Sequence, residues 1–491
     1  MKTKLFAAAL LAAGIGMSGQ ATAKDSLTLG IGLEPPHLDP TAGAAAAIDE
    51  VVYQNVFEGL TRIGPDGAVL PGLAKEWDVS DDGLTYSFKL RDGVKFHDGT
   101  AFDSADVLFS INRAMAEDST NAQKALFEPI AKIEAPDATS VTITLKRPTG
   151  HFLFNLGWGD VVMVAPESAD TNKTKPVGTG PFTFDRWTKG AEIRLTRNDA
   201  YWGEAARLAK VSFKVMPDAA SSAAALMSGD IDVFPNFGAP ELLEQFRADP
   251  RFEVVVGTTE GETILSMNHA NKALSDIRVR RAIAHAIDRQ AIIDGAMFGS
   301  GTPIGSHFAP HHPAYLDLTG MYPHDVAKAK SLLAEAGYAD GLKLRLTLPP
   351  TSYARRGGEV IAAQLAAVGI ETEIIPVEWA QWLKQVFKTT DYDLTIVSHT
   401  EPFDIGIYAR DSYYFNYKSE RFNKVYADLT EAVDPAKRKE LIGEAQKILA
   451  EDSVNGFLFE LAQNGVWKKG IKGLWANRPI QANDVTGAYW E

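Results

Sequence analysis

Between residues 342 and 404 the chain alternates strand-like and helix-like runs at a spacing that few folds accept. Residues 342–348 (LKLRLTL), 371–375 (ETEII) and 393–399 (DLTIVSH) read as strands, with helical runs at 353–368 and 379–387 between them. Strands separated by helix-length connections are successive βαβ units, so the sheet is largely parallel and the class is α/β. Ligands of such sheets bind beyond the carboxyl ends of the strands, in the strand-to-helix loops. Three of those loops fall here, at 349–356, 376–379 and 399–404. They carry Tyr353, Arg355 and Arg356, then Glu378 with Trp379, then the run HTEPFD from His399 to Asp404. The sequence therefore predicts one edge of a ligand cleft.

The first residues are not part of the fold. Lys2 and Lys4 precede an apolar run over 5–15, and Ala21-Thr22-Ala23 has the small-x-small form of a secretory cleavage site, so 1–23 is expected to be a signal peptide. No stretch reaches the roughly 18 uninterrupted apolar residues of a membrane span. A chain of 491 residues suggests two or three domains. It has no cysteine, which excludes thiol nucleophiles, thiolate metal sites and redox pairs. It also removes the cysteine that a lipid anchor needs, so a soluble periplasmic protein is expected. With 63 acidic against 49 basic side chains, neither nucleic acid nor an anionic membrane surface is an expected partner.

Residues 26–31 form a short strand, followed by a Pro-rich loop to Pro40 and a helix over 48–57. A β-rich block comes next. In residues 85–90, Tyr86, Phe88 and Leu90 share one face while Thr85, Ser87 and Lys89 share the other, the period of a half-buried strand. Asp92-Gly93 and Asp98-Gly99 are turns around a strand at 94–97, and Asp103 is placed to cap a helix over 104–115. With strands at 131–135 and 141–145 this makes a compact α+β unit of roughly 120 residues. Alternation resumes after Gly178, with strands at 193–196, 211–215 and 252–256 and helices at 219–227 and 240–246. Around 258–268 the chain passes into a second lobe, with helices at 277–287, 290–296, 326–336, 421–432 and 436–450 and a strand at 456–461. Gly337 and Gly369 are placed as left-handed C-terminal caps, and residues 466–491 show no clear period.

Signatures of catalysis are missing: the chain has no His-Glu-x-x-His helix, no P-loop and no Gly-x-Ser-x-Gly elbow. His307, His311 and His312 lie on a segment interrupted by Pro303, Pro310 and Pro313, with no acid nearby in sequence, and read as a surface loop, with no metal expected. Arg355 and Arg356 open a helix for which Thr351 or Ser352 is placed as the cap. Positive charge there opposes the helix dipole, so either Glu359 compensates it or a ligand anion or ion pair uses it. Glu401 and Asp404 flank Pro402, where a carboxylate could receive an ammonium group. Asp404 also fits a capping role. Trp379, nearer the strand end, could wall a pocket while Trp382 packs as core.

Six spaced motifs then carry a resemblance. They are EPPHLDP at 34–40, LAKEW at 73–77 leading into LTYSFKLRDGVKFHDG at 84–99, VGTGP at 177–181, VRRAIAHAIDR at 279–289 and AKAKSLLAEAGY at 327–338. In this order they make the chain resemble, almost end to end, the extracytoplasmic solute-binding proteins of peptide/nickel-type ABC importers, the dipeptide- and oligopeptide-binding family. The resemblance implies a two-lobed periplasmic-binding-protein fold, type II in its large three-domain form. Lobe I would comprise 24–56, 177–261 and 473–491, with an α+β subdomain at 57–176, and lobe II would span 262–472. A solute would bind between closing lobes, with Glu34 and Asp39 across the cleft from the 342–404 edge. The closed monomer would dock on an inner-membrane ABC permease, with no cofactor and no catalysis. Peptide-binding members place Gly-Trp-x-x-Asp after the last strand of that edge, where the Asp takes the peptide amino group. Here the run is Val397-Ser-His399-Thr-Glu401, which makes Glu401 the expected acid, with Asp404 in its place if the alignment shifts by a turn. The arginine that holds the carboxylate in dipeptide-specific members has no counterpart at 348–350. Arg355 matches a different family arginine. A short peptide or similar zwitterionic solute is the expected ligand. The alternatives are a periplasmic peptide hydrolase, or a binding protein for a metal chelate, oligosaccharide or opine.

Overall fold

The computed structural model describes residues 24–43, 45–400 and 404–491. The expected signal peptide and Glu401 lie outside the described residues. Among the described residues no helix is long and apolar enough to cross a membrane.

One 11-stranded sheet runs through the molecule. From one edge its order is Ile370–Pro376, Leu342–Leu348, Leu394–His399, Phe252–Met267, Gly456–Lys468, Val233–Phe234, Ser26–Ile31, Lys210–Val215, Glu192–Arg197 and Phe182–Thr188, with Gly301–Pro303 paired beside Gly456–Lys468. The two central strands are long, 16 and 13 residues. They pair antiparallel from Phe252 opposite Lys468 to Leu265 opposite Gly456, and the register breaks between Thr258 and Glu262. Both lobes hang on this pair. The sequence shows only the ends of these strands, at 252–256 and 456–461. Between them Gly257, Glu260, Gly261, Glu262 and Glu460 interrupt the apolar pattern by which a strand is recognised. Our division of the chain into lobes stays a proposal, because the sheet is continuous through it.

The 342–404 stretch folds as parallel units. Leu342–Leu348 pairs parallel with both Ile370–Pro376 and Leu394–His399. Leu344, Leu346 and Leu348 are buried beneath helix Ser352–Ala367, which contributes Ile361 and Leu365 to the same core. Gly369 after this helix holds φ +93° and Gly337 φ +90°, the left-handed caps that only glycine adopts freely. The expected side-chain cap is absent: Thr351 sits at the N-cap position without a capping hydrogen bond. The second helix also differs from expectation. Its α-helical part ends after Trp379–Trp382 and continues as a wider π turn, Leu383–Lys388.

The β-rich block is a four-stranded antiparallel sheet, Ala74–Val79, Thr85–Leu90, Ser140–Leu145 and Ile130–Asp137 in spatial order. Tyr86, Phe88 and Leu90 face its core as the alternation requires. Asp103 caps helix Ser104–Met115 in a capping box closed by Asp106. Residues 94–97 form a single bridge, Lys95 to Ala101, rather than a strand. The aperiodic tail covers the core beneath Ser26–Ile31, to which it gives Ile480, Val485 and Ala488.

Asp49 of helix Ala46–Val52 and Asp160 of the turn Gly159–Val161 are both buried. Burial pushes Asp160 up to about 7, while burial and then the nearby Asp160 raise Asp49. A carboxyl that keeps its proton in the fold to about 7 and releases it near 3.8 when unfolded contributes stability below pH 3.8 that is lost as pH rises through 7. Asp160→Asn mimics the protonated form. Wild-type stability should therefore fall relative to Asp160→Asn by about 1 kcal/mol per pH unit between pH 4 and 7, then level off, as read from urea unfolding of both proteins.

Candidate ligand-binding site

Strand Leu394–His399 delivers His399, buried, to the carboxyl edge of the sheet. Next along the chain, Asp404 opens a 3-10 helix, Asp404–Ala409. A cavity of about 610 Å³ opens beside them, lined by Trp379, Phe387, Ser398, His399, Asp404, Arg410 and Tyr413 among others. Trp379, Leu383 and Phe387 are exposed, at 41%, 46% and 40%, and form an apolar wall that the π turn brings to the cavity. Trp382 is buried and donates its indole N–H to Thr395 Oγ1 at 3.0 Å. Both indoles border the cavity, Trp379 from its exposed wall and Trp382 from the core.

His399 sits between two partners. Its Nδ1 lies 2.7 Å from Asp404 Oδ2 and its Nε2 lies 3.0 Å from the Tyr414 hydroxyl. His307 repeats the arrangement from another loop, with Nδ1 3.2 Å from the Tyr408 hydroxyl and Nε2 3.8 Å from the same Asp404 oxygen. Burial alone would raise the Asp404 carboxyl. The two imidazoles outweigh burial and hold it at about 2. Asp404 is therefore an anion whose charge is already engaged. One donor atom from each of His307, His399 and Asp404 falls within a common 4.8 Å, close enough for all three to hold a metal ion.

The other expected residues are spread around this point. Arg355 donates through Nε to the Pro349 carbonyl at 3.1 Å and through a terminal nitrogen to the Val377 carbonyl at 3.0 Å, with Glu378 3.7 Å away. It ties the first two loops together. Arg356 stacks over Phe298, 5.0 Å from the ring centre. The Tyr353 hydroxyl accepts the Ser398 N–H at 3.2 Å, which ties the first loop to the third. Glu34 belongs to the other half of the sheet, where its Oε1 accepts from the Trp187 indole at 2.9 Å and from Gly190 N–H at 2.7 Å. Asp39, expected across the cleft, is fully buried instead. It caps the turn Pro40–Ala42 and faces Arg113 at 3.5 Å.

The histidine loop is not the surface loop that its prolines suggest. His307 is buried, and the side chain of His311 is likewise covered, with its Nε2 2.8 Å from Glu260 Oε1. The acids that receive these histidines come from distant segments, so proximity in sequence could not show them. Arg410, Tyr413 and Tyr414 were missed too, although the YYF run at 413–415 offered a signal.

The sheet order, the long central pair and the cavity beyond the strand ends define a two-lobed solute-binding protein. The chain belongs to the bacterial extracellular solute-binding proteins, family 5, whose middle-region model matches residues 68–421. The family is one of binding proteins rather than enzymes. The chain is 30% identical over 461 residues to di/tripeptide-binding protein 1 of Pseudomonas aeruginosa (strain UCBPP-PA14), covering 85% of both chains. Among solved structures it is similar to HbpA2 from Haemophilus parasuis, at 25% identity and a TM-score of 0.87 over 95% of this chain and 100% of that one. It is also similar to the ABC transporter-associated periplasmic binding protein DppA of Helicobacter pylori in complex with the peptide STSA. That match has 27% identity and a TM-score of 0.70 over 96% and 98% of the two chains.

Arg355→Ala should remove the bond within the first loop and the tie to the second, and cost about 1–2 kcal/mol of stability in denaturant unfolding. Arg355→Lys should recover only part of that, because an ammonium lacks the planar fork that reaches two carbonyls.

Proposed function

We propose that the protein is the extracytoplasmic receptor of an ABC importer, and that it captures a short peptide or similar zwitterionic solute between its lobes for delivery to the permease. One observation carries the solute class: an apolar aromatic wall and an exposed guanidinium meet at a single cavity. Trp379 and Phe387 supply the wall. Arg410, exposed and stacked over Tyr413 at 5.0 Å, supplies a guanidinium for a carboxylate. Asp404 is held by two imidazoles, so Glu401 is the acid we assign to the ammonium. Tyr353 and Arg355 act by fixing the loops around the cavity, and Glu34 closes from the other lobe. The names of the di/tripeptide-binding relative and of the peptide-bound neighbour support the same class. Export by the N-terminal segment without a lipid anchor belongs to this reading.

Native mass spectrometry of protein purified without denaturation tests it directly. A retained mass resolving to a short peptide or amino-acid derivative is the expected result, and a retained sugar would end the peptide reading. With that solute, Glu401→Gln should weaken binding at least tenfold by calorimetry, about 1.4 kcal/mol per tenfold. Incubation with peptide mixtures should release no cleavage products.

A further inference from the structure

The register of the central sheet lines up a row of side chains behind the solute cavity. Glu262 lies opposite His399 on one side and opposite Glu460 on the other. Directly opposed residues of antiparallel strands share a face, so Glu460, Glu262 and His399 stand side by side across three strands. Both glutamates are buried, at 4% and 0% exposure. Among the described residues Glu262 Oε2 has no hydrogen-bond partner. Ionised together, two opposed buried carboxylates would repel each other, and a bound cation would offset that.

Donors converge at the same spot. Glu262, His307 and Asp404 line one cavity of about 10 Å³, roughly the volume that one water or a single ion requires. His307 Nε2 and His399 Nδ1 both turn toward Asp404 Oδ2, at 3.8 and 2.7 Å. Ligands of a tetrahedral ion with bonds of about 2.0–2.1 Å stand roughly 3.3–3.5 Å apart, so small shifts would admit one. Each histidine has its other ring nitrogen within hydrogen-bond reach of a tyrosine hydroxyl, Tyr408 or Tyr414. Outer partners of this kind set the tautomer and orientation of metal-binding histidines.

We propose that His307, His399, Asp404 and Glu262 form a resident site for one divalent transition-metal ion of the zinc class at the root of the cleft. Two imidazoles and two carboxylates with no thiolate suit Zn²⁺ rather than Ca²⁺ or Mg²⁺, which take mainly oxygen. The two histidines and Glu262 are buried, Asp404 is partly so, and the four come from four segments: the long strand, the end of the neighbouring strand, the loop after Pro303 and the turn at Asp404. An ion there is structural and distinct from the transported solute, and the proposal is independent of which solute is bound.

The test adds Zn²⁺ to purified protein stripped with a chelator. One Zn²⁺ per chain should survive gel filtration and raise Tm, and Co²⁺ in its place should give the intense visible absorption of a four-coordinate site. His307→Ala and Glu262→Gln should each lower Zn²⁺ affinity at least tenfold, whereas His311→Ala should not. Glu262→Gln removes one of two opposed buried carboxyls, so its metal-free Tm should equal or exceed that of wild type, which keeps the test readable if His307→Ala folds poorly. No saturable uptake, binding only at millimolar Zn²⁺ (an adventitious ion only), or uptake lost in His311→Ala but unchanged in Glu262→Gln would each overturn the proposal.

Discussion

Everything in this molecule hangs on the pairing of Phe252–Met267 with Gly456–Lys468. One end of the pair continues the sheet through Leu394–His399 toward the ligand edge, and the other through Val233–Phe234 toward Ser26–Ile31. Any motion of one half of the sheet against the other would therefore have to bend two strands rather than swing a free linker. The register break between Thr258 and Glu262 is where the ladder is weakest and bending costs least. The tail braces this point. Asn477 Oδ1 accepts the Thr258 N–H at 3.1 Å, and Arg478 forms an ion pair with Glu50. The tail passes so close that a Cβ on Gly257 would lie 1.8 Å from the Ala476 carbonyl oxygen.

The Pro-rich segment after Gly301–Pro303 joins that hinge to the ligand edge. Its His311 pairs with Glu260 in the break of the long strand, and its His307 faces Asp404 beyond the last parallel strand. Gln446 of helix Pro435–Glu451 anchors the same segment, accepting from Leu316 N–H at 3.0 Å and donating to the Ala314 carbonyl at 2.8 Å. A movement of the hinge and a movement of the third ligand loop thus share one mechanical connection, built from buried polar contacts that tolerate little slack.

What the sequence made legible follows from how local each signal is. Residues 342–348 and 393–399 could be read because both are apolar runs bounded by helices, and Asp103 because a cap acts within one turn. Trp379 and Trp382 could be told apart by distance from the strand end. The long strands could not be read as continuous, because their middles carry the glycines and glutamates that a hinge needs and a propensity scale penalises. The π turn after Trp382 leaves no compositional mark. His307 and His311 read as surface residues in the sequence because their acids are far along the chain: Glu260 is 51 residues away, and Asp404 lies beyond three strands and three α-helices. Burial of a polar residue is decided by tertiary partners, which periodicity does not encode.

The same distinction bears on how the third loop divides its work. An ammonium bound at Asp404 Oδ2 would have to displace the His399 contact at 2.7 Å and leave a buried imidazole short of a partner, a loss comparable to the charge-assisted bond gained. A carboxylate held this firmly is better suited to fixing the loop than to trading partners with a solute that must later be released. Glu401, the acid proposed for the ammonium, stands three residues earlier in the sequence, before Pro402 and Phe403, so in that proposal the acid that anchors the loop and the acid that meets the solute are different residues.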